Sequence, residues 1–143
     1  MTPFDKIEEM ALVVISDYKL SKLYQQSLEA FQSKMDGLLI KSAMDFSTCK
    51  QSLSYDADNR YFQNDLTQME KYILSCYFVV AWWEWQNNDA AQIALKLGLK
   101  NVFTYNSESQ NFKEKQNVID KLREEVSRKI TEYQLQDIDS LDY

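Results

Sequence analysis

Six residues near the middle of the chain, Asp56-Ala57-Asp58-Asn59-Arg60-Tyr61, begin as a calcium loop begins, with side-chain oxygens on alternate positions. The pattern then fails. Arg60 takes a ligand position, Tyr61 stands where the sharp turn needs Gly, and Thr67 stands where the bidentate Glu belongs. The segment reads instead as a solvated turn whose Asp side chains cap their own backbone. Glu8-Glu9 and Glu124-Glu125 are adjacent carboxylates, but neighbours on a helix point about 100° apart and cannot converge on one bond. Glu124 with Arg128 and Glu125 with Lys129 have the acid-first i, i+4 order that supports a helix. Cys49 and Cys76 form no CxxC pair and read as ordinary reduced, buried thiols.

The chain contains no His, which excludes Ser-His-Asp and Cys-His catalysis, HExxH zinc sites and the Glu-x-x-His pairs of di-iron bundles. Its two glycines, Gly37 and Gly98, cannot build a phosphate-cradling loop. The reading is therefore of a non-enzyme that needs no metal or cofactor. Sixteen Lys and Arg against twenty-two Asp and Glu leave a net charge of −6, a poor balance for nucleic acid. Most of that excess lies at the end of the chain. The last twelve residues hold Glu132, Asp137, Asp139 and Asp142 and no base. Asp5, Lys6, Glu8 and Glu9 stand where a signal peptide would need a basic start and an apolar stretch, so a cytoplasmic protein is expected.

With 143 residues, 45% apolar and one Pro, the chain predicts a single all-α domain with its own core. Thr2-Pro3-Phe4-Asp5 reads as a helix start, with Thr2 as N-cap and Pro3 at the first helical position. Ile7, Met10, Ala11, Val14 and Ile15 follow at helical spacing. Leu20, Leu23, Tyr24, Leu28, Phe31, Met35, Leu38, Leu39 and Ala43 make the stripe of a first long helix. Gly37 inside that stripe implies close approach of a neighbouring helix.

Periodicity disappears over 47–64, which reads as the longest loop. Thr67-Gln68-Met69-Glu70 fits a capping box and opens a second long helix, ending near Gln86. Its stretch from Tyr72 to Trp83 has no charge, is too short to span a bilayer, and reads as the buried central helix. Asn87-Asn88-Asp89 should stop that helix and cap a short one ending at Gly98. A connector over 99–106 then leads to a last long helix with Phe112, Ile119, Leu122, Val126, Ile130 and Tyr133 on its apolar stripe, ending near Gln136. The expected architecture is a helical bundle of three long and two short helices over 1–134, with a long loop, and an acidic C-terminal tail over 135–143.

Two groups of residues stand out for contacts with other chains. Trp82 and Trp83 are consecutive and cannot both face one core, so one is expected on a second buried surface, under a helix of the same chain or against another subunit. Trp82 and Trp85 are the aromatic candidates. In the tail, Leu135, Ile138, Leu141 and Tyr143 are apolar residues spaced about three apart among acids, a pattern suited to docking on a neighbour.

The series Phe62-x-x-Asp65-Leu66-Thr67-x-x-Glu70-x-x-Ile73-Leu74, the aromatic run from Trp82 to Trp85, the break at Thr104-Tyr105-Asn106-Ser107 and the closing Glu132-Tyr133 resemble a known group. They are similar to the head-tail connector proteins of tailed bacteriophages, also called neck adaptors or head-completion proteins. The resemblance covers most of residues 17–133. It implies a structural virion protein, located at the neck after assembly in the host cytoplasm. Many copies, usually a dodecameric ring, would sit between the portal protein and neighbouring neck or tail proteins. DNA would meet it only as non-specific passage through the channel, and no membrane is involved. Contacts with neighbours through the termini and the long loop would place Tyr55, Tyr61 and Phe62 at interfaces beside the tail residues. A second reading is a small helical protein that binds and inhibits a partner enzyme.

Overall fold

The computed structural model describes the backbone of residues 1–15, 27–98 and 102–141, and side chains within 1–15, 27–86 and 113–136. The elements run β1 (Thr2–Pro3), α1 (Phe4–Val14), α2 (Leu28–Asp45), β2 (Tyr55–Asp56), β3 (Tyr61–Phe62), α3 (Gln68–Gly98) and α4 (Val102–Leu141). The fold is mostly helical, as expected; among the described residues there are four helices, accompanied by a small antiparallel sheet of order β1-β3-β2.

The central helix is α3. Ile73, Leu74, Phe78, Val79, Val80, Ala81 and Trp82 are all buried, so the uncharged stretch is wrapped by α1, α2 and α4. Its start is the anticipated capping box: Thr67 Oγ1 accepts from Glu70 N at 3.2 Å, and Glu70 Oε1 accepts from Thr67 N at 2.8 Å. The expected stop at Asn87-Asn88-Asp89 does not occur, and the helix continues to Gly98. Asn and Asp cost at most about 0.7 kcal/mol each inside a helix, which is small beside the contact that α3 as a whole makes with α4. The connector is correspondingly shorter, because α4 already begins at Val102 and runs to Leu141, beyond the expected end near Gln136.

The two long helices are antiparallel. Tyr133 meets Glu70, Glu125 meets Tyr72, and Arg123 meets Glu84. Among the described residues of α4 the fully covered ones are Ile119, Val126 and Tyr133, one every seven positions, with Leu122 and Ile130 half-buried between them.

Helix α2 begins at Leu28. Ser27 Oγ accepts from Ala30 N at 3.1 Å, and Met35, Leu38, Leu39 and Ser42 form its inner face. The part of the anticipated stripe from Leu20 to Tyr24 lies outside the described residues. Gly37 does not mark a close approach: a methyl group added there would meet no heavy atom within 4 Å. Gly37→Ala is therefore expected to stabilise the protein by about 1 kcal/mol through helix propensity alone, read as a raised urea midpoint at unchanged m-value.

At the N-terminus Thr2 is a strand residue. Thr2 pairs with Phe62 and Pro3 with Tyr61, and the helix starts one residue after Pro3. The Thr2 hydroxyl is occupied elsewhere, donating to Asn64 O at 2.8 Å and accepting from Leu66 N at 2.9 Å. The segment over 47–64 is thus no open loop but a hairpin strapped to α1.

Candidate interaction surfaces

Two polar clusters hold the hairpin and the long helices in place, and both are built from residues far apart in sequence. In the first, the buried Glu70 carboxylate that closes the capping box also accepts from Tyr133 Oη at 2.6 Å, from Gln51 Nε2 at 2.6 Å and from Cys49 Sγ at 3.4 Å. Tyr133 Oη in turn accepts from Lys50 N at 2.8 Å, and Lys50 Nζ donates to Tyr133 O at 3.1 Å. Burial works against charge on Glu70, but the donors, Tyr133 first among them, outweigh it and hold the carboxyl below its ordinary range. Burial, followed by the bond to Glu70, raises Tyr133, and burial raises Cys49.

A nucleophile kept as a protonated thiol, beside a base whose lone pairs are all occupied, is a structural arrangement and not a catalytic one. The sequence exposed only the capping half of this cluster. Tyr133 and Gln51 carried no local signal of their role.

In the second cluster, Arg60 occupies a left-handed backbone position at φ 60°. The turn before it forms as the sequence anticipated: Asp56 Oδ1 accepts from Asp58 N at 3.0 Å and from Asn59 N at 3.1 Å. These bonds, those of Asn59 foremost, hold Asp56 below the usual carboxylate range. Arg60 grips Asp36 of α2 bidentately, at 2.8 and 3.0 Å, and reaches Asp5 at 2.8 Å and Glu8 at 3.5 Å on α1. Three carboxylates therefore share one guanidinium. Glu8 Oε2 is buried with no hydrogen-bond partner, and burial, aided by the hydrogen bond and charge of Asp36, pushes the Glu8 carboxyl up to about 9.

The anticipated interface residues are distributed unevenly. Phe62 and Trp82 are buried in the chain's own core, where the Phe62 ring packs tilted against Phe4 with centroids 5.1 Å apart, so neither offers area to another chain. Trp83 is half-buried, edge-on to Trp82 with ring centroids 5.1 Å apart and packed against both core clusters of the same chain. Trp85 is half-buried beneath Lys34, whose Nζ lies 4.0 Å from the ring centroid. Tyr61 is half-buried and Tyr55 is 42% exposed.

At the far end Leu135 is 47% exposed. The helix carries Ile138 and Leu141 beyond it, while Tyr143 lies outside the described residues. Since Tyr133 sits opposite Glu70 in the first turn of α3, residues 135–141 run past the start of that helix.

Sequence reasoning missed a groove of about 430 Å³ between α1, α3 and α4. Met10, Val13 and Val14 form one wall, and Cys76, Val79 and Leu122 line the rest of its apolar surface. Val13 and Val14 are 86% and 66% exposed although they continue the apolar stripe of α1. One corner is polar, where Tyr72 Oη donates to Glu125 Oε1 at 3.2 Å. Its phenol is pushed up to about 12, by Cys76 first and by burial next, and burial raises the Cys76 thiol, so both groups are neutral near pH 7. Arg128 pairs with Glu125 at 3.9 Å, and Lys129 with Glu132 at 3.3 Å, in place of the i, i+4 partners anticipated from sequence.

Among the described residues no group of His, Cys, Asp and Glu is arranged to hold a metal ion, and no helix is long and apolar enough to cross a membrane. The chain matches no protein-family model, no curated protein and no solved structure.

Proposed function

We propose that the protein is a structural subunit of a tailed-bacteriophage neck, assembling as a ring between portal and tail. The observation that carries this reading is the end of α4. The helix continues two turns past Tyr133 to Leu141, leaving Leu135 exposed on a segment that also holds Ile138, Leu141, Asp137 and Asp139 and has no base. An exposed apolar residue near a helix end is one that another chain can cover.

The residues on which the resemblance rests support a scaffold role. Phe62, Leu66, Ile73 and Leu74 are core residues, and Thr67 with Glu70 caps the central helix. An acidic surface lining a channel also suits the passage of DNA, since fixed Lys and Arg would retain its phosphates.

Deleting residues 135–143 tests this reading. The truncated protein is expected to keep its fold, with far-ultraviolet dichroism reduced only by the lost helical turns, yet to be absent from purified virions. Normal copy number of the truncated chain in virions would overturn the neck assignment. So would a small defined complex with a host enzyme in place of a ring, which is the behaviour of an inhibitor.

A further inference from the structure

We infer that the tip of the hairpin, residues 55–62, is a cover over Phe4 that lifts in alkali when Glu8 gives up its proton, while the base of the hairpin stays closed. This device belongs to the subunit alone and does not depend on the neck reading.

The hairpin is fastened at two ends by groups of different chemistry. At its base Lys50 N donates to Tyr133 Oη at 2.8 Å, and Gln51 Nε2 donates to Glu70 Oε1 at 2.6 Å and to Asp65 O at 3.0 Å. Glu70 is held below its ordinary 4.5, and Tyr133 and Cys49 are raised above their ordinary 10.0 and 9.0, so this end keeps its bonds from about pH 5 to about pH 9.

At the tip the fastening is Arg60. Its carbonyl accepts from Phe4 N at 3.0 Å, and its guanidinium spans Asp36 on α2 and Asp5 and Glu8 on α1. The backbone there, at φ 60°, is a conformation that a residue with a side chain keeps only while its contacts impose it. Three carboxyl groups fit around one guanidinium when one of them carries a proton. Glu8 is that one, because it is 5% exposed and its Oε2 has no hydrogen-bond partner, so a charge there would go unsolvated. Asp36 and Asp5 add to the cost of ionising it, and Arg60 offsets only part. Among the described residues α3 gives Glu8 no hydrogen bond or ion pair. The carboxyl is accordingly pushed up to about 9, chiefly by burial.

Lifting the tip wets Glu8 and lets it ionise at its ordinary value of 4.5. The closed form thus holds a proton that the open form releases, and each pH unit between the two values favours the open tip about tenfold. Beneath the tip lie Phe4 and Phe62, both fully buried, with the Tyr55 ring centroid 6.3 Å from that of Phe4. Opening bares this apolar face.

Trypsin reads the opening, because it can cut after Arg60 only when that side chain has left its carboxylates. Full-length wild type and Glu8→Gln are digested between about pH 7 and pH 10, and the fragments are followed by mass spectrometry. Each rate is divided by that of a synthetic peptide of residues 55–66, which carries the enzyme's own pH dependence. Cleavage after Arg60 in the wild type is expected to rise about a hundredfold from pH 7 to 9 and to level off above. Glu8→Gln should stay flat, and cleavage after Lys50 and Lys71 should stay slow in both. If near-ultraviolet dichroism shows that Glu8→Gln does not fold, Asp5→Asn takes its place. Removing that like charge lowers Glu8, so the rise should be smaller and level off at a lower pH. The inference is overturned by an equal rise in Glu8→Gln, by no rise in the wild type, or by an undiminished rise in Asp5→Asn. It is overturned as well if cleavage after Lys71 climbs in step with Arg60, which would mark unfolding of the whole chain.

Discussion

Glu70→Ala is expected to cost about 3 to 5 kcal/mol, a large share of the total stability of a domain this size. The substitution removes the carboxylate half of the capping box and strands the donors of Tyr133, Gln51 and Thr67, which converge on it in a buried position. Thr67→Ala, which removes only a cap acceptor, should cost about 1 kcal/mol. Tyr133→Phe should fall between, at about 1.5 to 3 kcal/mol for a hydrogen bond to a charged group.

The pH dependence separates this from simple packing loss. The Glu70 carboxyl is held below its ordinary value of 4.5, so its contribution is fully present above that pH and is lost as the pH falls through the folded-state value. The stability gap between wild type and Tyr133→Phe should therefore shrink in acid. Urea midpoints at pH 7 and pH 3 measure it, and an equal gap at both would show that the phenol acts only by filling space.

Arg60→Ala is expected to cost about 3 kcal/mol or more, because it leaves the carboxylates of Asp5 and Asp36, beside the protonated Glu8, without their cation. The same cluster gives the wild type a pH dependence of opposite sense to that of Glu70. Glu8 is raised to about 9, so the fold retains a proton that the unfolded chain releases near 4.5. Its stabilisation is complete below 4.5 and is lost as pH rises towards 9, with a slope of about 1.4 kcal/mol per pH unit while one proton separates the two states. Glu8→Gln keeps the shape and removes the titration. Its stability should be flat from pH 5 to 9 and should overtake the wild type at the alkaline end. Parallel curves for the two proteins in urea titrations across that range would show that Glu8 ionises in the folded state as it does in water.

Much of the local structure was legible because it is written in adjacent residues. The box from Thr67 to Glu70, the uncharged run after it and the turn closed by Asp56 each depend on neighbours a few positions away, and each forms as read. What could not be read depends on distant partners. Asn87-Asn88-Asp89 has the composition of a helix stop, yet α3 passes through it because α4 lies alongside. Thr2 has the composition of a cap, yet its hydroxyl is bound to Asn64 and Leu66. Gly37 suggested a crowded helix crossing and proved to face open space. Nothing in Asp5, Glu8, Asp36 and Arg60 taken singly announces that the four meet. For the interaction surfaces, the tail was visible as apolar residues among acids, whereas the groove exists only once three helices are placed side by side.

The short connector between α3 and α4 governs how the molecule reaches this state. Closing a link of three residues, 99–101, costs little chain entropy, so the two long helices can pair early and almost independently of the rest. The strand pairing of Thr2 with Phe62 and the grip of Lys50 on Tyr133 close circuits of about sixty and eighty residues, whose larger closure entropy is expected to place them after that pair in folding. Substitutions such as Val126→Ala, at the buried seam of the pair, should slow folding. Substitutions in the hairpin, Arg60→Ala included, should act mainly by speeding unfolding. The Arg60 cluster then works as a late clasp on a frame that is already built, and its loss would shorten the lifetime of the native state more than it would delay its formation.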